Sequence, residues 1–197
     1  GGILSFPPVW GTCPAKTPSG SITRMGSASG TTSATLPTHQ AGDLILGFAY
    51  ATGSTYPTVP SGWSSIASRA GTTGRASVGF KIAASSSETS GTWTNAANVL
   101  FIVYRNISSA NTGSYFSLTT VTNSGTTATV TYPRNAYWTD LAWTVAFGAC
   151  NSGSLAIETA PSGTSLVVNN VHTFDEASGF DSNGTLSAFA LASIANG

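Results

Sequence analysis

The chain has 197 residues, which suits one domain or two small fused ones, and only 7% of them are charged, against roughly 25% in an average globular protein. Lys plus Arg and Asp plus Glu number 7 each, so the net charge is zero, which excludes phosphate-driven nucleic-acid binding and electrostatic membrane attachment. No run approaches the roughly 18 apolar residues that span a bilayer, and a hydrophobic fraction of 41% is too high for disorder.

Residues 1–20 predict an extended arm ahead of the folded domain. Four of the nine prolines fall here, and proline removes a backbone donor and fixes φ, which disfavours a helix or a central strand. The segment is nevertheless too apolar for a free linker, and Phe6, Val9 and Trp10 are its candidate partner-binding residues. We expect the arm to lie on a protein surface, its own or a neighbour's.

From residue 21 to residue 197 the chain becomes a series of short β-type runs separated by turn signals. Two runs, Leu44–Tyr50 and Leu100–Tyr104, are apolar throughout, which predicts central strands covered on both faces. No segment has a convincing helical pattern, so the fold class predicted is all-β, a β-sandwich or jelly roll. The predicted strands are Ile22–Met25, Ser33–Leu36, Asp43–Ala51, Trp63–Ala70, Arg75–Ala84, Val99–Asn106, Tyr115–Val121, Thr126–Tyr132, Leu141–Cys150, Ser165–Asn169 and Leu186–Ala192.

An internal repeat divides this domain into residues 21–110 and 111–197. The run Asp43–Ala49 matches Asp140–Ala146 at an offset of 97, and Pro60-Ser61-Gly62 matches Pro161-Ser162-Gly163 at 101. The pattern also aligns 78–83 with 187–192. That alignment leaves the second half without a counterpart of the strand at 99–104. We therefore expect an open sheet edge beside Leu186–Ala192, either because the chain is truncated or because a neighbour's strand fills that place.

A resemblance to a known family rests on several short stretches. They are Ala41–Phe48, Val59–Trp63, Ser87–Thr94, Val103–Arg105, Glu158–Gly163 and Asp175–Gly179. Together they resemble a β-sandwich domain that recurs in structural proteins of tailed bacteriophages and related viruses. The resemblance covers roughly residues 21–197 and consists of turn and core residues, with no catalytic motif.

The resemblance implies a non-enzymatic virion protein on the capsid or tail surface. We expect a capsid decoration or cement protein that binds neighbouring capsid or tail subunits through its arm and sheet edges, and that forms homo-oligomers because a neutral, weakly charged surface favours association. The alternative is a receptor- or glycan-binding module of a tail or head fibre. Neither function requires a cofactor, a nucleic acid or a membrane.

Polar residues that can carry chemistry are few. Asp43 and Asp140 each precede an apolar strand, where a short carboxylate accepts hydrogen bonds from turn N–H groups. The only dense polar cluster comprises His172, Asp175, Glu176, Asp181 and Asn183, and it lacks a calcium-loop pattern. No activated serine motif is present. The pair Asp175 and Asp181 is the sole candidate for the two carboxylates of glycoside hydrolysis. We therefore predict no catalytic, cofactor-binding or metal-binding residues. We interpret the polar cluster as a solvated or interface loop.

Aromatic residues offer the remaining candidates. Trp63 and Trp93 stand where strands begin and are interpreted as core. Tyr56 lies in a loop and is the candidate contact for a host-surface glycan. The two cysteines, Cys13 and Cys150, are either one disulfide or two buried thiols.

Overall fold

The computed structural model describes residues 22–71, 73–107, 118–123, 145–151, 165–172, 175–181 and 189–194. Every regular element in these ranges is a β-strand, which confirms the all-β prediction. The strands are β1 (Thr23–Gly30), β2 (Leu44–Thr52), β3 (Ser64–Ala70), β4 (Gly74–Ile82), β5 (Asn98–Arg105), β6 (Leu118–Asn123), β7 (Val145–Asn151), β8 (Ser165–His172), β9 (Asp175–Asp181) and β10 (Phe189–Ile194).

One strand prediction and one loop interpretation are wrong within the described residues. Ser33–Leu36 is irregular chain, although Ala34 and Leu36 still pack on a hydrophobic cluster. Asp175–Asp181, interpreted as part of a polar loop, is strand β9. Its acidic residues stand at the strand ends, while Ala177 between them packs into the core. Residues 1–20 and Thr126–Tyr132 lie outside the described ranges.

The first sheet has the order β1-β5-β2-β4-β3, and all its neighbouring strands are antiparallel. Leu44–Ala51 of β2 and Asn98–Tyr104 of β5 are buried at every position. A strand buried at every position must be covered on both faces, because its side chains alternate between them. The prediction of two central, doubly covered strands is therefore confirmed.

The second sheet has the order β6-β10-β7-β9-β8. Strand β9 pairs antiparallel with β7 and β8, whereas β10 pairs parallel with β6 and β7. Because β10 has a hydrogen-bonded neighbour on each side, the expected open edge beside residues 186–192 is wrong. The same order shows why: β9 holds the place that corresponds to β4, so aligning 78–83 with 187–192 matched the wrong strand.

The two sheets have the same strand order. Strands β6, β10, β7, β9 and β8 of the second sheet take the places that β1, β5, β2, β4 and β3 take in the first. Their hairpins also share a register. In β3 the extra residue of a β-bulge is Ile66, and in β8 it is Val167, 101 positions later. Every cross-strand pair of the β3–β4 hairpin has a counterpart 101 positions further along in β8–β9. Strands β5 and β10 take the same place in the two sheets but differ in direction. Strand β5 runs antiparallel to its neighbours, whereas β10 runs parallel to its neighbours.

The two sheets pack face to face through one hydrophobic cluster. At its centre the rings of Phe48 and Phe147 are stacked, with centroids 5.1 Å apart and planes 1° apart. Burying side chains of this size contributes about 1.5–3 kcal/mol each, so this layer holds the sheets together. The buried members of the cluster are Leu44, Leu46, Phe48, Tyr50, Ala76, Val78, Leu100, Ile102 and Tyr104 from the first sheet, and Val145, Phe147, Ala149 and Ala177 from the second.

The outer face of the first sheet is covered by loops that carry two tryptophans. Trp93 is completely buried, and Trp63 meets it edge to face with centroids 5.4 Å apart. The indole of Trp93 lies against Gly47, where an added Cβ would come within 2.5 Å of Trp93 Cζ2. Gly47 pairs with Gly79 across the β2–β4 ladder, so two strands leave a slot for this ring. Both tryptophans belong to the core, as interpreted.

Candidate functional site

The carboxylate of Asp43 is held by a turn and by one arginine. Gln40 N–H donates to Oδ2 at 2.9 Å, while Arg105 donates from Nε to Oδ1 at 2.9 Å and from Nη2 to Oδ2 at 2.7 Å. Burial raises the pKa of the Asp43 carboxyl, but the bonds from Arg105 and Gln40 outweigh it, so the pKa lies below its ordinary value. The expected turn-capping role is confirmed. The sequence pattern did not reveal Arg105 as the partner.

Glu88 closes the loop that follows β4. Its side chain forms an ion pair with Lys81 and accepts a hydrogen bond from Ala84 N–H at 2.8 Å. The hydrogen bond from Lys81, aided by Ala84, lowers the pKa of Glu88 below its ordinary value. The Glu88 N–H donates in turn to Nε2 of His39 at 3.0 Å. This loop is therefore fastened to the segment before β2.

Asp181 joins the two sheets, and its side chain is buried. Arg24 of β1 and Tyr104 of β5 both donate to it, the Tyr104 hydroxyl at 2.8 Å from Oδ2. Burial raises the pKa of Tyr104 well above its ordinary value, and the charge of Asp181 raises it further. The phenol thus remains a hydrogen-bond donor to the carboxylate.

The geometry divides the polar cluster of the sequence, because His172 and Asp175 are cross-strand partners at one end of the β8–β9 pair and Asp181 stands at the other end. Asp175 and Asp181 stand at opposite ends of β9, six residues apart. At about 3.4 Å per residue that separation is roughly 20 Å, far more than the roughly 5–9.5 Å of a glycosidase carboxylate pair. This separation agrees with setting the pair aside as catalytic carboxylates. Asn183 lies outside the described residues.

A second polar bridge between the sheets is built from amides. The side chain of Asn98, completely buried, donates from Nδ2 to the carbonyl oxygen of Asn170 at 2.8 Å. Asn170 Nδ2 donates to Asn98 Oδ1 and to the carbonyl oxygen of Gly30, both at 2.9 Å. Nearby, the Ser27 hydroxyl donates to Val167 O at 3.3 Å. Sheet edge β8 is thus tied to β1 and β5, and sequence spacing offered no signal for it.

Tyr56 is displayed on a loop that the core anchors. It is 42% exposed, and the guanidinium carbon of Arg75 lies 5.6 Å from its ring centroid. The next residue, Pro57, accepts a 2.7 Å hydrogen bond from the buried Ser77 hydroxyl. Arg75 is held by the carbonyls of Gly71 and Gly74, each 2.9 Å from Nη1. An aromatic ring on a fixed loop beside a fixed cation can stack on a planar or sugar ring.

Other predicted functional residues fall elsewhere. Phe6, Val9 and Trp10 of the arm lie outside the described residues, as do Cys13 and Asp140. Within the described ranges, no three His, Cys, Asp or Glu side chains group as metal ligands. Those same ranges contain no helix of the length and apolarity needed to cross a bilayer.

Comparison with known proteins supplies no relative. The chain matches no protein-family model, no curated protein and no solved structure.

Proposed function

We propose that the chain is a β-sandwich of two similar halves, residues 21–110 and 111–197, packed face to face about an approximate two-fold axis. Its support is the hairpin register with its bulge, repeated at an offset of 101. The stacking agrees, because β1 lies against β8 while their counterparts β6 and β3 also lie against each other. The parallel β10 is the departure from this symmetry.

On this scaffold we propose a non-enzymatic structural role, as a virion-surface protein that decorates or cements neighbouring capsid or tail subunits. The observation that carries the structural role is how three carboxylates are used. Asp43, Glu88 and Asp181 are each tied to a cation and to a further donor within the fold. The zero net charge and the small fraction of charged residues fit association with other proteins. The virion setting is supported by the resemblance in sequence.

The proposed clamp is the arm, through burial of Phe6, Val9 and Trp10 on a neighbouring subunit. Burial of each is worth about 1.5–3 kcal/mol, enough for many copies to fasten a shell. The test is reconstitution of purified particles with the full chain, with a chain lacking residues 1–20, and with a triple alanine variant at these three positions. Loss of particle binding by both, with binding retained by Ser5→Ala, supports the clamp; undiminished binding by the triple variant refutes it.

The second candidate is glycan recognition through Tyr56, favoured by its exposure on an anchored loop beside Arg75. Stacking of a sugar requires the aromatic face itself, and Tyr56→Ala removes that face. Glycan-array binding that Tyr56→Ala abolishes and the neighbouring Thr55→Ala keeps would establish this function. Binding that survives Tyr56→Ala, or no binding by the native chain, would exclude Tyr56 as the contact.

A further inference from the structure

His39 is a buried side chain whose two ring nitrogens have opposite roles. It is 8% exposed and lies in the segment before β2. Nδ1 is 2.6 Å from the carbonyl oxygen of Pro37, so Nδ1 carries the hydrogen and donates it. Nε2 accepts the N–H of Glu88 at 3.0 Å. Only the neutral ring satisfies both bonds, since a second ring hydrogen would face the Glu88 N–H.

The charges around this ring balance while it is neutral. Asp43 and Glu88 are the carboxylates whose titration responds to His39. Asp43 is paired with Arg105 from β5, and Glu88 is paired with Lys81 from β4. Protonation of His39 would leave three cations beside two carboxylates that already have partners. The two carboxylates are attractive to the imidazolium, but their oxygens are engaged with Arg105, Lys81 and backbone N–H groups.

The bond from Glu88 to His39 fastens a loop that covers the core. Residues 83–97 carry Glu88, then Ser90, whose hydroxyl accepts Ala34 N–H at 3.1 Å, and then the buried Trp93. The backbone N–H of Trp93 donates to the carbonyl oxygen of Thr32 at 2.8 Å. The segments before β2 and after β4 therefore cover the outer face of the first sheet as one unit. Losing the histidine acceptor would release the Glu88 N–H from the segment before β2, while the Glu88 side chain stays bound to Lys81 and Ala84.

We propose that His39 is an acid-sensitive tether: its protonation breaks the bond to Glu88 N–H and loosens the 84–91 loop from the segment before β2, beside the Trp63 and Trp93 cluster. Histidine changes charge between about pH 5 and 8. Both nearby carboxyls titrate lower, because the pKa of each lies below its ordinary value. A loss of the Glu88 bond that follows the ring resonances of His39 therefore reports the ring and not the two carboxyls. The inference is independent of the proposed virion role.

The test is NMR of the full chain between about pH 7.5 and pH 5. It follows the His39 ring resonances, the amide exchange of Glu88 and tryptophan fluorescence. We compare the native chain with His39→Gln, whose amide can donate to Pro37 and accept from Glu88 but cannot gain a proton. The matched control is His172→Gln, because the chain has only these two histidines.

We expect the native chain and His172→Gln to lose about tenfold in Glu88 amide protection, relative to His39→Gln at the same pH, as the His39 ring titrates. Tryptophan fluorescence should change over the same interval. A ring that titrates while Glu88 stays protected overturns the proposal, as does a ring that stays neutral throughout. If His39→Gln does not fold, the coincidence of ring titration and Glu88 exposure in His172→Gln decides the matter alone.

Discussion

Phe48 and Phe147 occupy equivalent places in the two sheets and stack on each other. Phe48 pairs with Val78 in the first sheet. The residue 101 positions after Val78 is Gly179, and its partner in the second sheet is Phe147. The strand pairing therefore places β7 at an offset of 99 from β2, two residues away from the sequence alignment of Asp43–Ala49 with Asp140–Ala146. In a two-fold interface a residue meets its own counterpart only at the axis. The parallel stack of these rings therefore marks the axis of the proposed two-fold packing.

Equivalence of the two rings predicts equal effects of substitution. Phe48→Leu and Phe147→Leu should each lower the free energy of unfolding by about 1–2 kcal/mol, because each loses the same stack and part of its volume. The double variant should lose less than the sum, by about 0.5–1.5 kcal/mol, since the stack is lost once. Urea unfolding of the four proteins measures this. A strongly unequal pair of single variants would contradict the proposed symmetry.

Gly47 is predicted to be intolerant of even one methyl group. The added Cβ of Gly47→Ala would meet Trp93 Cζ2 at 2.5 Å, Trp63 Cζ3 at 3.0 Å and Phe101 Cε1 at 3.1 Å. Overpacking of this kind costs about 1–3 kcal/mol. Urea unfolding followed by tryptophan fluorescence should show both lower stability and an altered native spectrum. Ser65→Ala, on the exposed edge strand β3, is the control and should change stability by less than about 0.5 kcal/mol.

The bond between Tyr104 and Asp181 should couple the two sheets energetically. Tyr104→Phe removes a hydrogen bond to a carboxylate and should cost about 1–3 kcal/mol. Asp181→Asn should cost at least as much, because Arg24 also loses its anion. A double-mutant cycle from chemical denaturation should give a coupling above about 0.5 kcal/mol. Additive losses would show that the hydroxyl and the carboxylate act independently.

Tyr104 should also make the fold sensitive to alkali. Its pKa in the fold lies well above 10.0, so above that pH the unfolded chain loses the phenolic proton while the folded chain keeps it. The stabilisation is therefore full below pH 10.0 and falls as the pH rises further. The stability of Tyr104→Phe should decline less than that of the native chain above this pH. The other five tyrosines are common to both proteins, so the difference isolates Tyr104.

Asp43 should contribute the opposite dependence. Its pKa in the fold is below 3.8, so its stabilisation is full above that pH and is lost as the pH falls below it. Asp43→Asn should cost about 1–3 kcal/mol at neutral pH, because Arg105 loses its anion. The variant should have a flatter loss of stability in acid. Thermal unfolding of both proteins from neutral pH to below 3.8 checks the slope, and parallel curves would contradict the assignment.

Sequence periodicity predicted the parts of the fold that local composition controls. Leu44–Tyr50 and Leu100–Tyr104 are apolar at every position, so their double burial followed from residue type alone. Strand β9 was missed because its acidic ends resemble a loop, while its burial comes from pairing with β7 and β8. Pairing between distant strands has no signature in the spacing of one strand. The choice of counterpart for β4 failed for the same reason.

The candidate sites show the same division. The turn role of Asp43 depends on residues three positions apart, and the sequence predicted it. The partners Arg105, Arg24 and Tyr104 lie 62, 157 and 77 positions from their carboxylates, and the topology alone brings them together. Tyr56 was predicted to be exposed, but its neighbour Arg75 was not, since β4 supplies it across the loop.

The two polar bridges between the sheets have a mechanical consequence. One is at Asp181, which pairs with Ser165 at the start of β8, and the other is at Asn170, five residues further along that strand. At about 3.4 Å per residue the two points are roughly 15–17 Å apart. A single point of attachment would let the layers pivot about it, whereas two separated points resist both pivoting and sliding. Shear applied along the strands must break both bridges together, so the layers should slip abruptly under load and not creep.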